Sequence, residues 1–591
     1  MKYVNSTFIK AVLILTQLLF LLTNFSYSQW TTDTSQNTQV CGSSNSQSLP
    51  KISKTTDGGC YICWFDQRNG PYNVYLQRLN NQGYPQFAAN GMLISSNPQS
   101  SSLVDWYMST DDANNAVITF TDTRNGTSIN PFAYRISPSG SFLWGANGVN
   151  LTDSPAIYQP NPKIIETSDG NFVVVWIWSS TPNRIAMQKL SPAGAKMWGN
   201  DPIFLAGTGT ENFTYPDPVP SDAGSFILMW SGYSGTFLNP INYKLYTQKF
   251  SPSGTPLWSA NPDTVYSLGR VNGFYVPRVY SDGNNGAIYV WQDDRNSTNI
   301  PGSYVQHISS TDVKLFPING SAGSTNGSFY HFAPTAAYMP LTGEIYMFWD
   351  EVNYPTQSMM GIYGQKFSSN GTRLWNTNGV TFKPLDNNSM EGLATLIKDS
   401  TVVVYYNEII TGGTNDVIKC FSSDRNGNLG WGGYIKTASS ILSNKLKLVE
   451  TMNSSGMSML TWSDGRNDGG DIYAQNVWIN GQFGNPGGIQ ILSNKVPDRF
   501  SLSQNYPNPF NPSTKIKFDI PIPLAKGVRG MDVKLMIYDI IGREITTLVN
   551  QQLNPGSYSI TWDASSYTSG IYFYKLIAGQ YNSTKKMVLV K

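Results

Sequence analysis

Along most of the chain, short apolar runs alternate with turns rich in Gly, Asn, Pro and Ser. No stretch carries the 3.6-residue period of an amphipathic helix, so strands are predicted throughout. One pattern repeats. A strand ending in a large aromatic recurs at Trp64, Phe120, Trp176, Trp230, Trp291, Trp349, Tyr406 and Trp462, at intervals of 54 to 61 residues. A turn such as Asp57-Gly58-Gly59 or Ser168-Asp169-Gly170 precedes it, and a continuous run such as Phe172-Val173-Val174-Val175-Trp176 leads into it. An alternating strand follows, of the kind Tyr75-Leu76-Gln77-Arg78-Leu79, then a Gly-containing turn and often a Trp.

In the alternating strand, Gln returns at Gln77, Gln188, Gln248, Gln306, Gln365 and Gln475, with Arg, Lys, His or Asn next to it. Apolar neighbours give that strand period 2, the signature of one wet face. The turns after it, Ser137-Pro138-Ser139-Gly140, Ser191-Pro192-Ala193-Gly194 and Ser251-Pro252-Ser253-Gly254, are hairpin turns, because Pro presets one dihedral and Gly accepts positive φ. Four short strands per unit, repeated radially, predict an all-β protein built on a β-propeller of about eight blades. Seven blades plus an irregular unit is the other count allowed, since the units around Trp230 and Tyr406 fit the phrase least well. The recurrent aromatic is expected to fill the wedge between blades, and the Gln to be a buried amide linking them.

Only 13% of residues are charged against 40% hydrophobic, and the formal charge is +2 with no basic stripe. Such a chain is globular, and nucleic acid is excluded as a partner because phosphate binding needs clustered cations. Lys2 and Lys10, the apolar stretch Ala11–Leu22 and Ser26-Tyr27-Ser28 before Gln29 read as a removable signal peptide over residues 1–28. No later segment is apolar enough for a transmembrane span. Of the four cysteines, Cys41 could join Cys60 or Cys63 in an oxidising compartment, or all could be buried thiols. Cys60 and Cys63 have no second pair to complete a metal site.

Near Asn494 the repeat stops. Asn505-Tyr506-Pro507-Asn508-Pro509-Phe510-Asn511-Pro512, Ile537-Tyr538-Asp539-Ile540-Ile541-Gly542-Arg543-Glu544, Pro555-Gly556-Ser557-Tyr558-Ser559-Ile560-Thr561-Trp562-Asp563 and the ending Lys585-Lys586-Met587-Val588-Leu589-Val590-Lys591 follow in order. By themselves they are strands and turns of a sandwich. The series resembles the type A C-terminal sorting domain of type IX secretion clients, over residues 496–591. The resemblance implies an Ig-like fold, export across the outer membrane to the surface or medium, partnership with the type IX machinery, and a cleavage near Asn494–Arg499.

Two positions beyond the recurrent aromatic, on the same strand face, stand Asp66, Asp122, Asp293, Glu351, Glu408 and Asp464. Arg68, Arg124, Arg295 and Arg466 follow four of them two residues later. These ten are the candidate ligand-binding residues, for a glycan or for Ca2+ held by several carboxylates. Against that stands the Asp-x-Arg-Asn-Gly turn itself, which an Asp–Arg pair stabilises, and the fact that structural devices repeat where catalytic sites do not. Ser168-Asp169-Gly170 departs in spacing from the sialidase Asp-box. His307 occupies the position of Arg78, Lys189, Lys249 and Lys366 and is expected on the surface, while His331 is expected in a loop between repeats. Two histidines support neither a serine triad nor a His-rich metal centre.

The expectation is therefore a signal peptide over 1–28, a propeller of eight repeats of about 57 residues over 29–495, and a sorting domain over 496–591. The propeller reads as a non-catalytic extracellular binding or display module for a glycan or protein. A secreted carbohydrate-active enzyme, a glycoside hydrolase or sialidase-like propeller, is the alternative.

Overall fold

A computed structural model of the chain describes residues 30–591, apart from 98–105, 127, 153, 155, 238, 271–275, 297–298, 411–412, 414, 485–489, 494–496, 522–530, 554 and 565–566. The expected signal peptide and the expected boundary at 495/496 lie outside the described residues. Among those described, all regular structure is β apart from a 3-10 turn at Asp222–Gly224.

Eight four-stranded antiparallel sheets precede residue 479. In the first, β2 (Gln47–Lys54) is innermost, followed outward by β3 (Cys60–Asp66), β4 (Asn73–Leu79) and β5 (Met92–Ser95), while β1 (Thr38–Cys41) belongs elsewhere. Adjacent sheets pack in cyclic order, and the eighth meets the first, so the sheets are the blades of a closed β-propeller. The recurrent aromatics lie on the second strands. Those strands read as continuous apolar runs because neighbouring blades cover both faces, and all seven residues of β3 are buried.

The eighth blade takes its inner three strands from Lys445–Met452, Met457–Asp464 and Asp471–Trp478, and its outer strand from β1. The ends of the ring therefore meet within one sheet. A second device makes the same join. Indole N–H groups of Trp144, Trp198, Trp258, Trp375 and Trp431 donate to Pro192, Pro252, Ser310, Arg425 and Ile479 carbonyls at 2.9–3.2 Å. Each acceptor is the second residue of the hairpin turn in the following blade. Trp30 repeats the bond across the seam, donating to the Asn81 carbonyl of blade one at 3.1 Å. The turn glycine lies under the ring: a Cβ on Gly83 would fall 2.9 Å from Trp30 ring carbons, and one on Gly194 would fall 2.8 Å from Trp144. Only a residue without Cβ that also tolerates φ near +85° fits there.

Three expectations are corrected at the third strands. They have no wet face, since six of the seven β4 residues are buried. The basic residue at this place in the third strand folds onto the acidic residue of the first hairpin in its own blade: Arg135 on Asp111, Lys189 on Asp169, Lys249 on Asp222 and Lys366 on Glu344. His307 does the same and is buried, 2.9 Å from Asp282, rather than on the surface. The Gln amides are buried and chiefly tie their own blade, although Gln365 also reaches the Gly323 carbonyl beside the outer strand of blade five at 3.4 Å. Gln77, Gln188, Gln248, Gln306 and Gln365 donate to carbonyls eleven residues later at 2.7–3.0 Å. Gln475, whose blade borrows its outer strand, donates instead to Thr31 O and accepts from Asn37. The four cysteines are free, buried thiols.

Two further four-stranded sheets follow. One contains Ser513–Ile520 and Gly556–Asp563, the other Met531–Tyr538 and Gly570–Ala578, and alternate residues from both, including Ile516, Phe518, Leu535, Trp562 and Tyr574, share one apolar core. The strand Gln490–Ser493, which the expected boundary assigns to the repeats, pairs with Gly556–Asp563 of this sandwich.

Candidate functional site

The ten candidate residues lie where the second strand turns into the third, on the face that also carries the crossings from blade to blade. Four of the carboxylates, Asp66, Asp122, Asp293 and Asp464, have fully buried side chains. Indoles of Trp64, Trp291 and Trp462 each donate to the carboxylate two residues on at 2.8 Å. Arg68, Arg295 and Arg466 close on the same carboxylates at 2.6 Å, and Arg124 on Asp122. Each guanidinium also stacks on the aromatic across the strand pair, Tyr75, Phe132, Tyr304 or Tyr473, at 3.7–3.9 Å. Its remaining N–H groups bond the Asn90, Asn147, Asn319 or Gln36 carbonyl at the foot of the outer strand. The Arg is thus a clasp across three strands, and it reaches the preceding blade too: Arg68 bonds Cys41 Sγ and Arg124 bonds Ser95.

The clasps differ in their electrostatics. Burial pushes the Asp293 carboxyl above its usual value despite the bonds from Arg295. At Asp464 burial is outweighed by Arg466, Lys445, Ser443 and Trp462, and the carboxyl lies below it. Glu351 accepts from Trp349 at 2.8 Å with His331 at 3.2 Å, and Glu408 lies 3.5 Å from Lys383 and 3.8 Å from Lys419. His331 is therefore not in a loop but buried in the innermost strand Phe329–Met339 of blade six. Among the described residues, no group of three His, Cys, Asp or Glu side chains is placed to hold a metal ion.

The unequal chemistry lies on the axis. Innermost strands bulge at the same height, with Leu49, Tyr215, Ala333 and Lys447 at φ 48–57°. A left-handed conformation costs about 1–2 kcal/mol per L-residue, so the surrounding sheets must hold these bulges. They surround a cavity of about 720 Å³, lined among others by Lys51, Lys163, Asp217, Arg278, Gln292 and Glu450. Asp217 lies 3.0 Å from Lys163. Burial pushes the Glu450 carboxyl up to about 7, with Arg278 opposing it. For Arg278, burial alone would lower the pKa, but Tyr280, Glu450 and Asp350 together raise it. A second cavity of about 500 Å³ continues below, sharing Tyr280 and Glu450 with the first.

The residue after the recurrent aromatic differs from blade to blade, Phe65, Thr121, Ile177, Ser231, Gln292, Asp350, Asn407 and Ser463, and of these Gln292 lines the first cavity. Asp350 is buried, its Oδ1 has no partner, and burial pushes its carboxyl up to about 8 against Arg278 and Lys383. The native state thus keeps a proton that the unfolded chain releases near pH ~4, so stability falls as pH rises between those values. Asp350→Asn is expected to remove this slope, melting above the parent at about pH 9 with the gap closing toward pH 4. Parallel melting curves across that range would show that the carboxylate is solvated in the native state.

Fold and tail together define a secreted β-propeller protein. Residues 504–591 match the family described as the secretion system C-terminal sorting domain, so the tail is a type IX sorting domain that addresses the chain to the cell surface or extracellular space. Among the described residues no helix is long and apolar enough to cross a membrane. No curated protein matches the chain. Similar solved structures include a Dyadobacter fermentans protein of unknown function, 10% identical over 54% of this chain and 94% of that one, with TM-score 0.33. A Penicillium chrysogenum α-L-arabinanase complexed with arabinobiose is 11% identical over 54% and 92%, with TM-score 0.30. A Bombyx mori β-fructofuranosidase is 10% identical over 74% and 87%, with TM-score 0.27.

Proposed function

We propose that the chain is delivered by the type IX route as a non-catalytic extracellular binding module, with a signal peptide over 1–28, a ligand-binding propeller over 29–495 and an Ig-like sorting domain over 496–591. The observation that carries this reading is the fate of the repeated charges. In four blades the carboxylate and guanidinium that the face offers are spent on each other and on loop carbonyls, and in three of them the carboxylate also takes an indole N–H. The ten candidate residues, in this reading, shape the face by holding its loops, and the ligand meets the mouth of the axial channel.

One feature favours the alternative, a secreted carbohydrate-active enzyme. A carboxyl poised near neutrality, as at Glu450, suits a general acid. One assay separates the two. The secreted protein is incubated with a panel of polysaccharides and glycoproteins, and both retention and released products are read by mass spectrometry. Retention with intact polymer is the expected result; released oligosaccharides that disappear in Glu450→Gln would replace the binding module by the enzyme.

A further inference from the structure

The upper cavity on the axis offers more donors than acceptors. Its charged lining comprises Lys51, Lys163, Arg278 and Lys447 against Asp217 and Glu450, and Asp217 is held by Lys163. Gln292 adds a directional element. Its side chain is 1% exposed, its Oε1 accepts from the Ala333 backbone N–H at 2.8 Å, and its Nε2 is buried with no partner while the residue lines the cavity. A buried donor left unmade costs about 1–3 kcal/mol, a deficit that a ligand acceptor would relieve. Arg278 donates to the Leu393 carbonyl at 3.3 Å and meets the Tyr280 side chain, and a guanidinium with five N–H groups matches a carboxylate in two-point geometry. Tyr215 and Tyr280 belong to the same lining, and aromatic side chains suit the apolar side of a sugar ring. The volume, about 720 Å³, falls in the range of small-ligand sites.

From this we propose that the upper mouth of the channel binds an anionic sugar unit, its carboxylate facing Arg278 and Lys447 and one acceptor oxygen meeting Gln292 Nε2. The proposal rests on the binding-module reading and gives it a ligand class. Neighbouring positions explain why one place on the ring is used. Gln292 is the member of its column that lines the cavity and keeps an unpartnered donor, whereas Asn407 and Ser463 at the matching places spend theirs on the Lys445 and Gln47 carbonyls.

The test is titration calorimetry of the full secreted protein with three probes: a trimer of galacturonic acid, a sulfated trisaccharide and a neutral trisaccharide. The galacturonate trimer is expected to bind, more weakly as salt is raised, with the neutral probe at least about tenfold weaker for loss of its charge contacts. Gln292→Glu, nearly isosteric and able to keep the Ala333 bond, is expected to weaken the trimer at least about tenfold by adding like charge. Lys447→Glu, at an exposed position, serves the same purpose if the first variant does not fold. Tighter binding of the sulfated probe would overturn the carboxylate assignment. Equal binding of charged and neutral probes, or galacturonate binding indifferent to both substitutions, would overturn the site. In each of these cases, a ligand retained in the panel assay would leave the binding-module reading standing. Cleavage of a probe would overturn both.

Discussion

Removal of residues 30–41 is expected to abolish the native ring. The deletion strips blade eight of its outer strand and leaves the edge Asp471–Trp478 unpaired. It also removes Asn37, which bonds Ala438 O, Gln475, Ser439 and Arg466, and the Trp30 indole that holds blade one. An unpaired edge in a buried sheet templates association, so the truncated protein should elute as soluble aggregate or swapped dimer and lose its cooperative melt. Trp30→Ala alone should cost about 3–5 kcal/mol, the usual loss for a buried Trp. A synthetic peptide of residues 30–41, added during refolding, is expected to restore the melt by adding its strand in trans. A truncated chain that is monomeric and melts like the parent would show that blade eight needs no fourth strand.

Arg295→Ala carries the next largest effect. It leaves the Asp293 carboxylate buried with the Trp291 indole as its chief donor, and breaking a buried pair from one side costs about 3–5 kcal/mol. The guanidinium stacks on Tyr304 at 3.7 Å while it bonds Asp293 and Asn319 O together, a planar combination that a lysine does not reproduce, so Arg295→Lys should recover only part of the loss. The double variant Asp293→Asn, Arg295→Met should be more stable than Arg295→Ala, because it removes the charge along with its partner. Denaturant unfolding of the three proteins checks the order. Equal midpoints for parent and Arg295→Ala would mean that water replaces the guanidinium without cost.

The ring was legible because spacing survives in the linear chain: one aromatic strand per unit, one Gly turn, one Gln. What alternation cannot tell is whether a polar face meets water or a partner from the same blade. For that reason Lys189 and His307 read as solvated and are instead buried against Asp169 and Asp282. The role of Trp30 was hidden because residues 30–41 carry only the last fragment of the repeated phrase. Its likeness to Trp144 shows only once both indoles are seen to bond the second residue of a hairpin turn. The axial cavity was hidden for the opposite reason. Repeat reading follows columns that agree, and Gln292, which lines the cavity, stands in a column that holds Phe65, Thr121 and Asp350 in other blades.

The seam in blade eight also sets a clock on assembly. Thr38 pairs with Ala474, so the first and last strands of the ring can join only after every intervening blade is available. Closing such a loop costs configurational entropy that grows as about (3/2)RT ln n with its length n, and contacts so distant in sequence slow the final step. Until that step the chain is an open arc of blades, each already able to form its local hairpins. A polymer in that condition can still be pulled through an opening end first. Once Thr38 pairs with Ala474, passage would require a pore wide enough for the whole ring.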